Sequence, residues 1–349
     1  MHLAFSIMHW ALCAPKLQFR LLYHTHFPET STHLLHMMMV EVISMQLVPT
    51  NVPMTPELCI RTINAITSRY PFCRSELLTT TAFGRPVRTL VIGRGPRKVL
   101  YSAAHHANEW ITTPVLLKFV EDFAIALETG GEIGGVDAGE LSEKVTVYTV
   151  PMVNPDGVAL VTGEIGPGDA QYISAQNIGA EFPNIPFPRG WKANLTGTDL
   201  NLNYPAGWLQ AREIKFSQGF TRPAPRDFVG QYPLNQQETK ALAGYTEFLD
   251  PALVLAYHTQ GKVIYWQFED YFVPGAEELG QRLADISGYE LAETPFLSAF
   301  AGYKDWFIKF FRRPGYTVEV GEGENPLPID QFDEIYRDNV GLLVTAALG

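Results

Sequence analysis

Cysteine, basic residues and long apolar runs are all scarce in this chain, and each shortage removes a class of explanation. Only Cys13, Cys59 and Cys73 occur among 349 residues. They are odd in number and lack metal-type spacing, so no disulfide framework is implied and they read as small buried or surface thiols. Lys and Arg number 26 against 37 Asp and Glu, a net charge of −11. A nucleic-acid partner needs clustered cations, and those are missing. No stretch approaches the roughly 18 consecutive apolar residues of a membrane span. Histidine is the most unevenly supplied residue: six of nine fall within the first 36 positions, leaving His105, His106 and His258 for the other 313.

What is present describes a globular protein. Hydrophobic residues make up 46% and charged residues 18%, which is ample for a core. Residues 1–45 differ from the rest, with six histidines, the run Met37-Met38-Met39 and no sustained period. Leu3 to Ala14 is apolar like a signal h-region, but it lacks a basic n-region and carries His9 and Trp10. The segment therefore reads as a pro-segment or upstream translation before a start near Met45, and a cytoplasmic location is favoured over secretion.

From about Thr50 the pattern alternates strands and helices. Apolar, β-rich runs predict strands at Val87–Ile92, Val99–Ala104, Val145–Val150, Leu253–Tyr257, Val263–Phe268 and Tyr316–Val320. A hairpin-like break at Gly93-Arg-Gly-Pro96 separates the first two. Helical spacing predicts helices at Pro56–Tyr70, Glu109–Leu127, Asn235–Leu249, Ala276–Ser287, Tyr303–Phe311 and Phe332–Ala347. Interleaving of this kind predicts one α/β domain over residues 50–349, with a mixed, mostly buried central sheet flanked by helices. Residues 157–231, rich in Gly, Pro and Asn, read as irregular functional surface.

The three body histidines are placed for chemistry. His106 follows the predicted strand Val99–Ala104, Glu109 opens the next helix, and His258 closes Leu253–Tyr257. All three would lie at the carboxyl ends of strands, where α/β sheets form their crevice. Two neutral imidazoles and one carboxylate, with a fourth position open to water, make the ligand set of a catalytic zinc. A lone His-x-x-Glu is commonplace and a lone His258 would read as core; converging strand ends with no competing histidine point to metal. His105 is the spare, read as packing or as a contact behind the ligands.

At this point a resemblance becomes specific. His106-Ala-Asn-Glu109-Trp110-Ile111-Thr112 resembles the signature of the zinc metallocarboxypeptidase family. The likeness continues through Pro151-Met-Val-Asn-Pro-Asp-Gly157, Trp191-Lys192, Thr198-Asp-Leu-Asn-Leu-Asn-Tyr204, His258, Lys304-Asp305-Trp306 and Tyr316-Thr-Val-Glu319-Val320. It covers roughly residues 50–349. The strings Gly190 to Trp208 and Gln218 to Asp227 are similar to a bacterial branch, the γ-D-glutamyl-diaminopimelate peptidases. The resemblance implies one Zn²⁺ held by His106, Glu109 and His258, with Glu319 as catalytic base. Glu322 and Glu324 are nearby rivals. Lys192 stands where the family has an oxyanion-stabilising arginine, supplying charge without the bidentate fork.

Departures from the family bear on substrate. Family members pair Asn with Arg to grip a terminal carboxylate, whereas Leu202 follows Asn201 here. Tyr303 is the nearest counterpart of a mobile-loop tyrosine. Lys304 occupies the position at the base of the leaving-group pocket, where a cation favours an anionic group; its alternative is a solvated helix lysine. The resemblance thus implies hydrolysis of the γ-D-glutamyl-diaminopimelate bond in peptidoglycan-derived peptides. A broader carboxypeptidase, or an amide deacylase on small substrates, stays open. A non-catalytic wall-binding protein would be signalled by loss of Glu319, which is present.

Overall fold

The computed structural model describes residues 46–349, so the expectation for residues 1–45 falls outside the described residues. Seven strands form the central sheet: β1 (Leu90–Gly93), β2 (Arg97–Ala103), β3 (Val145–Val150), β4 (Leu253–His258), β5 (Val263–Tyr265), β6 (Glu290–Ala292) and β7 (Gly315–Glu319). Their order across the sheet is β6-β5-β7-β4-β2-β3-β1. Pairs β7·β4, β4·β2, β2·β3 and β6·β5 are parallel; β5·β7 and β3·β1 are antiparallel. The expected mixed sheet flanked by helices is what forms.

Alternation along the strands explains the layers. In β2, Val99, Tyr101 and Ala103 pack into one apolar cluster while Leu100 faces another. In β4, Leu253, Leu255 and Tyr257 join the first cluster; Val254 and Ala256 join the second. Because both faces are covered, every residue of β4 is buried, as interior parallel strands require. Helices Pro56–Arg69, Thr112–Thr129, Ala276–Ser287 and Phe332–Leu348 cover the first face. Helices Trp208–Ser217, Gln237–Leu249 and Tyr303–Phe311 cover the second. The Tyr101 hydroxyl donates to Leu343 O at 2.8 Å, tying sheet to helix.

Three sequence expectations need correction. The run Val87–Ile92 is two strands: Pro86–Arg88 pairs with Leu77–Thr80 in a separate ribbon, and only Leu90–Gly93 enters the main sheet. The Gly93–Pro96 break is no hairpin, since β1 and β2 flank β3 instead of pairing with each other. Residues 157–231 are not wholly irregular. They contain most of helix Pro155–Val161 and all of Ala170–Ala180 and Trp208–Ser217. The Asn154 side chain caps the first of these, accepting from Gly157 N at 3.0 Å and donating to His105 O and Ala193 O at 3.1 Å. A Cβ on Gly157 would lie 2.5 Å from Ala193 O, so only glycine lets these segments approach.

Candidate metal centre and substrate cleft

Neighbouring strands β7, β4 and β2 end side by side, and that adjacency builds the site. Glu319 pairs in register with His258 across the β7·β4 ladder. After β2 the chain turns through Ala104, whose φ of 51° is left-handed, a strained choice for alanine. The Thr112 hydroxyl clasps this turn, accepting from Ala104 N at 3.0 Å and donating to Glu109 O at 2.8 Å. Glu109 consequently sits in a short 3-10 turn ahead of the Thr112–Thr129 helix, not at that helix's first residue. His105 turns inward, stacked 5.6 Å from the His258 ring with its Nε2 at 3.2 Å from the Tyr204 hydroxyl.

His106, Glu109 and His258 converge. His106 Nδ1 lies 2.9 Å from Glu109 Oε1, and His258 Nδ1 lies 2.9 Å from Glu109 Oε2. The two Nδ1 atoms are 3.2 Å apart, and the three residues offer ligand atoms that all fall within 4.8 Å of one another. Behind them Asp199 Oδ1 holds His106 Nε2 at 3.1 Å, while Asp199 itself accepts from the backbone N–H groups of Asn201 and Asp227. A proton shared toward Asp199 leaves the Nδ1 lone pair facing the cluster, as metal-ligating histidines require.

Electrostatics show what this cluster wants. Burial works against a charged His106, yet the carboxylates of Glu109 and Asp199 carry it up to about 9. Burial also opposes ionising Glu109, but His106 and Lys192 hold its carboxyl well below the usual range. Burial keeps His258 neutral by lowering it. The cluster therefore favours positive charge where the ligand atoms meet. A divalent cation meets that demand, and two imidazoles with one carboxylate suit zinc. Burial first, then the charge of Glu109, pushes Glu319 up to about 8. Lys192 Nζ donates to Glu109 Oε1 at 2.9 Å, and its backbone carbonyl accepts from Ala107 N at 3.0 Å.

Two adjoining cavities meet over these groups. Asn201, Leu202, Lys215 and Lys304 line one; Asn108, Asn184, Arg189, Gln260 and Asn325 line the other. Lys192, Arg226, Tyr265 and Glu319 line both. Asn201 is also tied down, its Oδ1 accepting from Tyr303 N at 3.0 Å. Lys304 is not a solvated helix lysine. It is 3% exposed, lies 2.7 Å from Asp305 Oδ1 and donates to Gln267 O and Thr294 Oγ1. Tyr303 is not brought to the cleft: it is fully buried, with its hydroxyl 2.8 Å from Thr246 Oγ1, because its ring packs between His105 and Trp306. Glu322 and Glu324 are exposed, and of the two only Glu324 lines a cavity. Sequence reading did not single out Asp199, Lys215, Arg226 or Asp227; all lay inside or beside quoted motifs, without a spacing that marks them.

A model of the zinc carboxypeptidase family matches residues 59–341. The chain belongs to the zinc carboxypeptidase family. It is 40% identical over 282 residues, 81% of this chain and 69% of the relative, to "Gamma-D-glutamyl-L-diamino acid endopeptidase 1" of Lysinibacillus sphaericus. It is 34% identical over 283 residues, 80% of this chain and 73% of the relative, to the uncharacterised YqgT of Bacillus subtilis. Its fold is shared with bovine thrombin-activatable fibrinolysis inhibitor, at TM-score 0.64 and 16% identity over 84% of this chain and 95% of that one. This zinc carboxypeptidase family member is thus a metallopeptidase with Zn²⁺ as its cofactor. None of its described helices is long and apolar enough to cross a membrane.

Proposed function

We propose that the protein hydrolyses the γ-D-glutamyl bond to a diamino acid in peptidoglycan-derived peptides. The observation that carries this reading is a cleft continuing on both sides of Lys192 and Glu319, with Leu202 in place of a carboxylate-gripping arginine. A site without that grip suits a bond inside a short peptide. The 40%-identical relative named for γ-D-glutamyl-L-diamino acid cleavage supports the same choice.

In this reading His106, Glu109 and His258 hold the zinc, with Asp199 fixing the His106 tautomer. Bound there, zinc supplies Lewis acidity that lowers the pKa of water to about 7. Beside a bound cation, Glu319 would be favoured in its ionised form against the burial that otherwise raises it. Its carboxylate takes the proton from the attacking water as the water's oxygen bonds to the scissile carbonyl carbon. It then hands that proton to the leaving nitrogen as the C–N bond breaks. Lys192 spends one N–H on Glu109, leaving two for the carbonyl oxygen as negative charge develops. Lys304 lies in the cavity assigned to the leaving diamino acid, although Asp305 already neutralises much of its charge.

The test incubates purified protein with L-Ala-γ-D-Glu-diaminopimelate and with ordinary α-linked peptides, with and without chelator, and identifies products by mass. Cleavage only before diaminopimelate, lost with chelator, is expected. Release of ordinary C-terminal residues at equal rates would return the protein to the broader carboxypeptidases.

A further inference from the structure

Donors and position together separate one guanidinium of the cleft from the other cations. The Lys304 ammonium is enclosed by Asp305, Gln267 O and Thr294 Oγ1. Lys215 Nζ is paired with Asp227 Oδ1 at 2.7 Å, and Lys192 donates to Glu109. Arg226 commits only Nε, 2.6 Å from Asp227 Oδ2, and no acceptor among the described residues takes its terminal guanidinium nitrogens. It also lines both cavities. Arg189 lines the second cavity alone and is exposed at its rim.

The backbone around Arg226 is pinned to the catalytic wall. Pro225 O accepts from Lys192 N at 2.8 Å and from Ala193 N at 2.9 Å, and Asp227 N donates to Asp199 Oδ2 at 3.2 Å. Asp227 sits at a left-handed φ of 65°, a strained position held by those contacts and by its two cationic partners. The guanidinium is thereby fixed by one edge, with its free nitrogens available to the cleft. Such a fork suits a carboxylate, which it can bind through two parallel hydrogen bonds.

The reading above gives that carboxylate a source. When glutamate is linked through its side chain, the scissile carbonyl belongs to the side chain and the α-carboxylate stays free, a short carbon chain behind it on the acyl side. An α-linked peptide carries no such group there. We propose that Arg226 is a specificity-determining residue that takes the free α-carboxylate of a γ-linked glutamyl residue. This rests on the γ-glutamyl reading and goes beyond it in naming which atoms are read.

The experiment compares wild type, Arg226→Gln, Arg226→Lys and Arg189→Gln on two peptides. One is L-Ala-γ-D-Glu-diaminopimelate; the other is the same peptide with the glutamyl α-carboxylate converted to a carboxamide, leaving the scissile bond intact. Wild type should prefer the acid in kcat/KM by on the order of tenfold to a hundredfold, the value of a charge-assisted contact. Arg226→Gln should lose at least tenfold more on the acid than on the amide, and Arg226→Lys should restore part of the preference. Equal losses on both peptides would overturn the inference by making Arg226 a support for Asp227. A preference that survives Arg226→Gln, or vanishes in Arg189→Gln instead, would also overturn it alone. Wild type cutting neither peptide would overturn both the inference and the reading beneath it.

Discussion

The two walls of the cleft are built by different means. The sheet wall carries His106, His258 and Glu319 on or just beyond buried strands whose ladders run the length of the core. The opposite wall, residues 181–236, carries Lys192, Asp199, Asn201 and Arg226 with little regular structure. Side-chain amides hold it. Asn203, fully buried, donates to Val229 O at 2.9 Å and Asn235 Oδ1 at 2.8 Å, and accepts from Thr239 Oγ1 at 2.9 Å. Asn194 accepts from Thr196 and Thr198 N and donates to Gln236 Oε1. In the proposed mechanism the sheet wall supplies two of the zinc ligands and the proton acceptor, whereas the laced wall supplies the groups that orient His106, receive the carbonyl charge and read the substrate. Loops can change their side chains without re-registering a sheet.

Substitutions on the sheet wall should sharpen that contrast most. His258→Ala should abolish turnover and bound zinc together, counted by elemental analysis on a chain starting at Gln46 so that the six histidines of residues 1–36 do not contribute. Full metal content in that variant would remove His258 from the site. Glu319→Gln should keep zinc and lower kcat by about 10²–10⁴, the usual share of a positioned general base. An equally severe loss in Glu322→Gln would move that role.

On the laced wall the expected effects are smaller and of another kind. Asn203→Leu removes the side-chain hydrogen bonds to Val229 O, Asn235 Oδ1 and Thr239 Oγ1. The loss is roughly 1–3 kcal/mol in all, because Val229 O and Thr239 Oγ1 keep Trp208 Nε1 and Gln236 O as partners. Denaturant unfolding should show a loss of about that size, with zinc retained and discrimination between peptides reduced more than metal affinity. Zinc lost in proportion to stability would erase the distinction between the walls.

The smallest effect concerns pH. Glu238 lies under this wall, 2% exposed, and burial pushes its carboxyl up to about 7 from 4.5. Below 4.5 it is protonated folded or unfolded; above about 7 the folded chain must bury a carboxylate. Its contribution is therefore present at low pH and lost as pH rises through that window, by at most about 1.4 kcal/mol per pKa unit. Glu238→Gln should flatten the fall of Tm between pH 5 and 8; an unaltered slope would show that another group sets it.

The same contrast explains what the sequence disclosed. Parallel strands buried on both faces read as continuous apolar runs, so Val145–Val150 and Leu253–Tyr257 were plain, and the histidine at the end of the latter stood out by scarcity. Helix Ala170–Ala180 buries only Ala175 and Gly179, so it has no apolar stripe to detect. Asp199 sits 93 positions from the histidine it orients, and nothing local marks it. Lys304 is buried against the habit of its type. Thr89 looks like one more strand residue, yet it is where two ribbons part.

The pairing of Glu319 with His258 has a consequence for assembly. Side chains alternate across a strand, so slipping β7 by one position would turn Glu319 and Thr317 into the apolar face held by Tyr316 and Val318 and bring those two out to the cleft. A misassembled molecule would bury a carboxylate among apolar side chains and lose the group proposed as its proton acceptor. Specific activity of refolded material should consequently behave as a count of correctly registered molecules, where bulk secondary structure would report little difference.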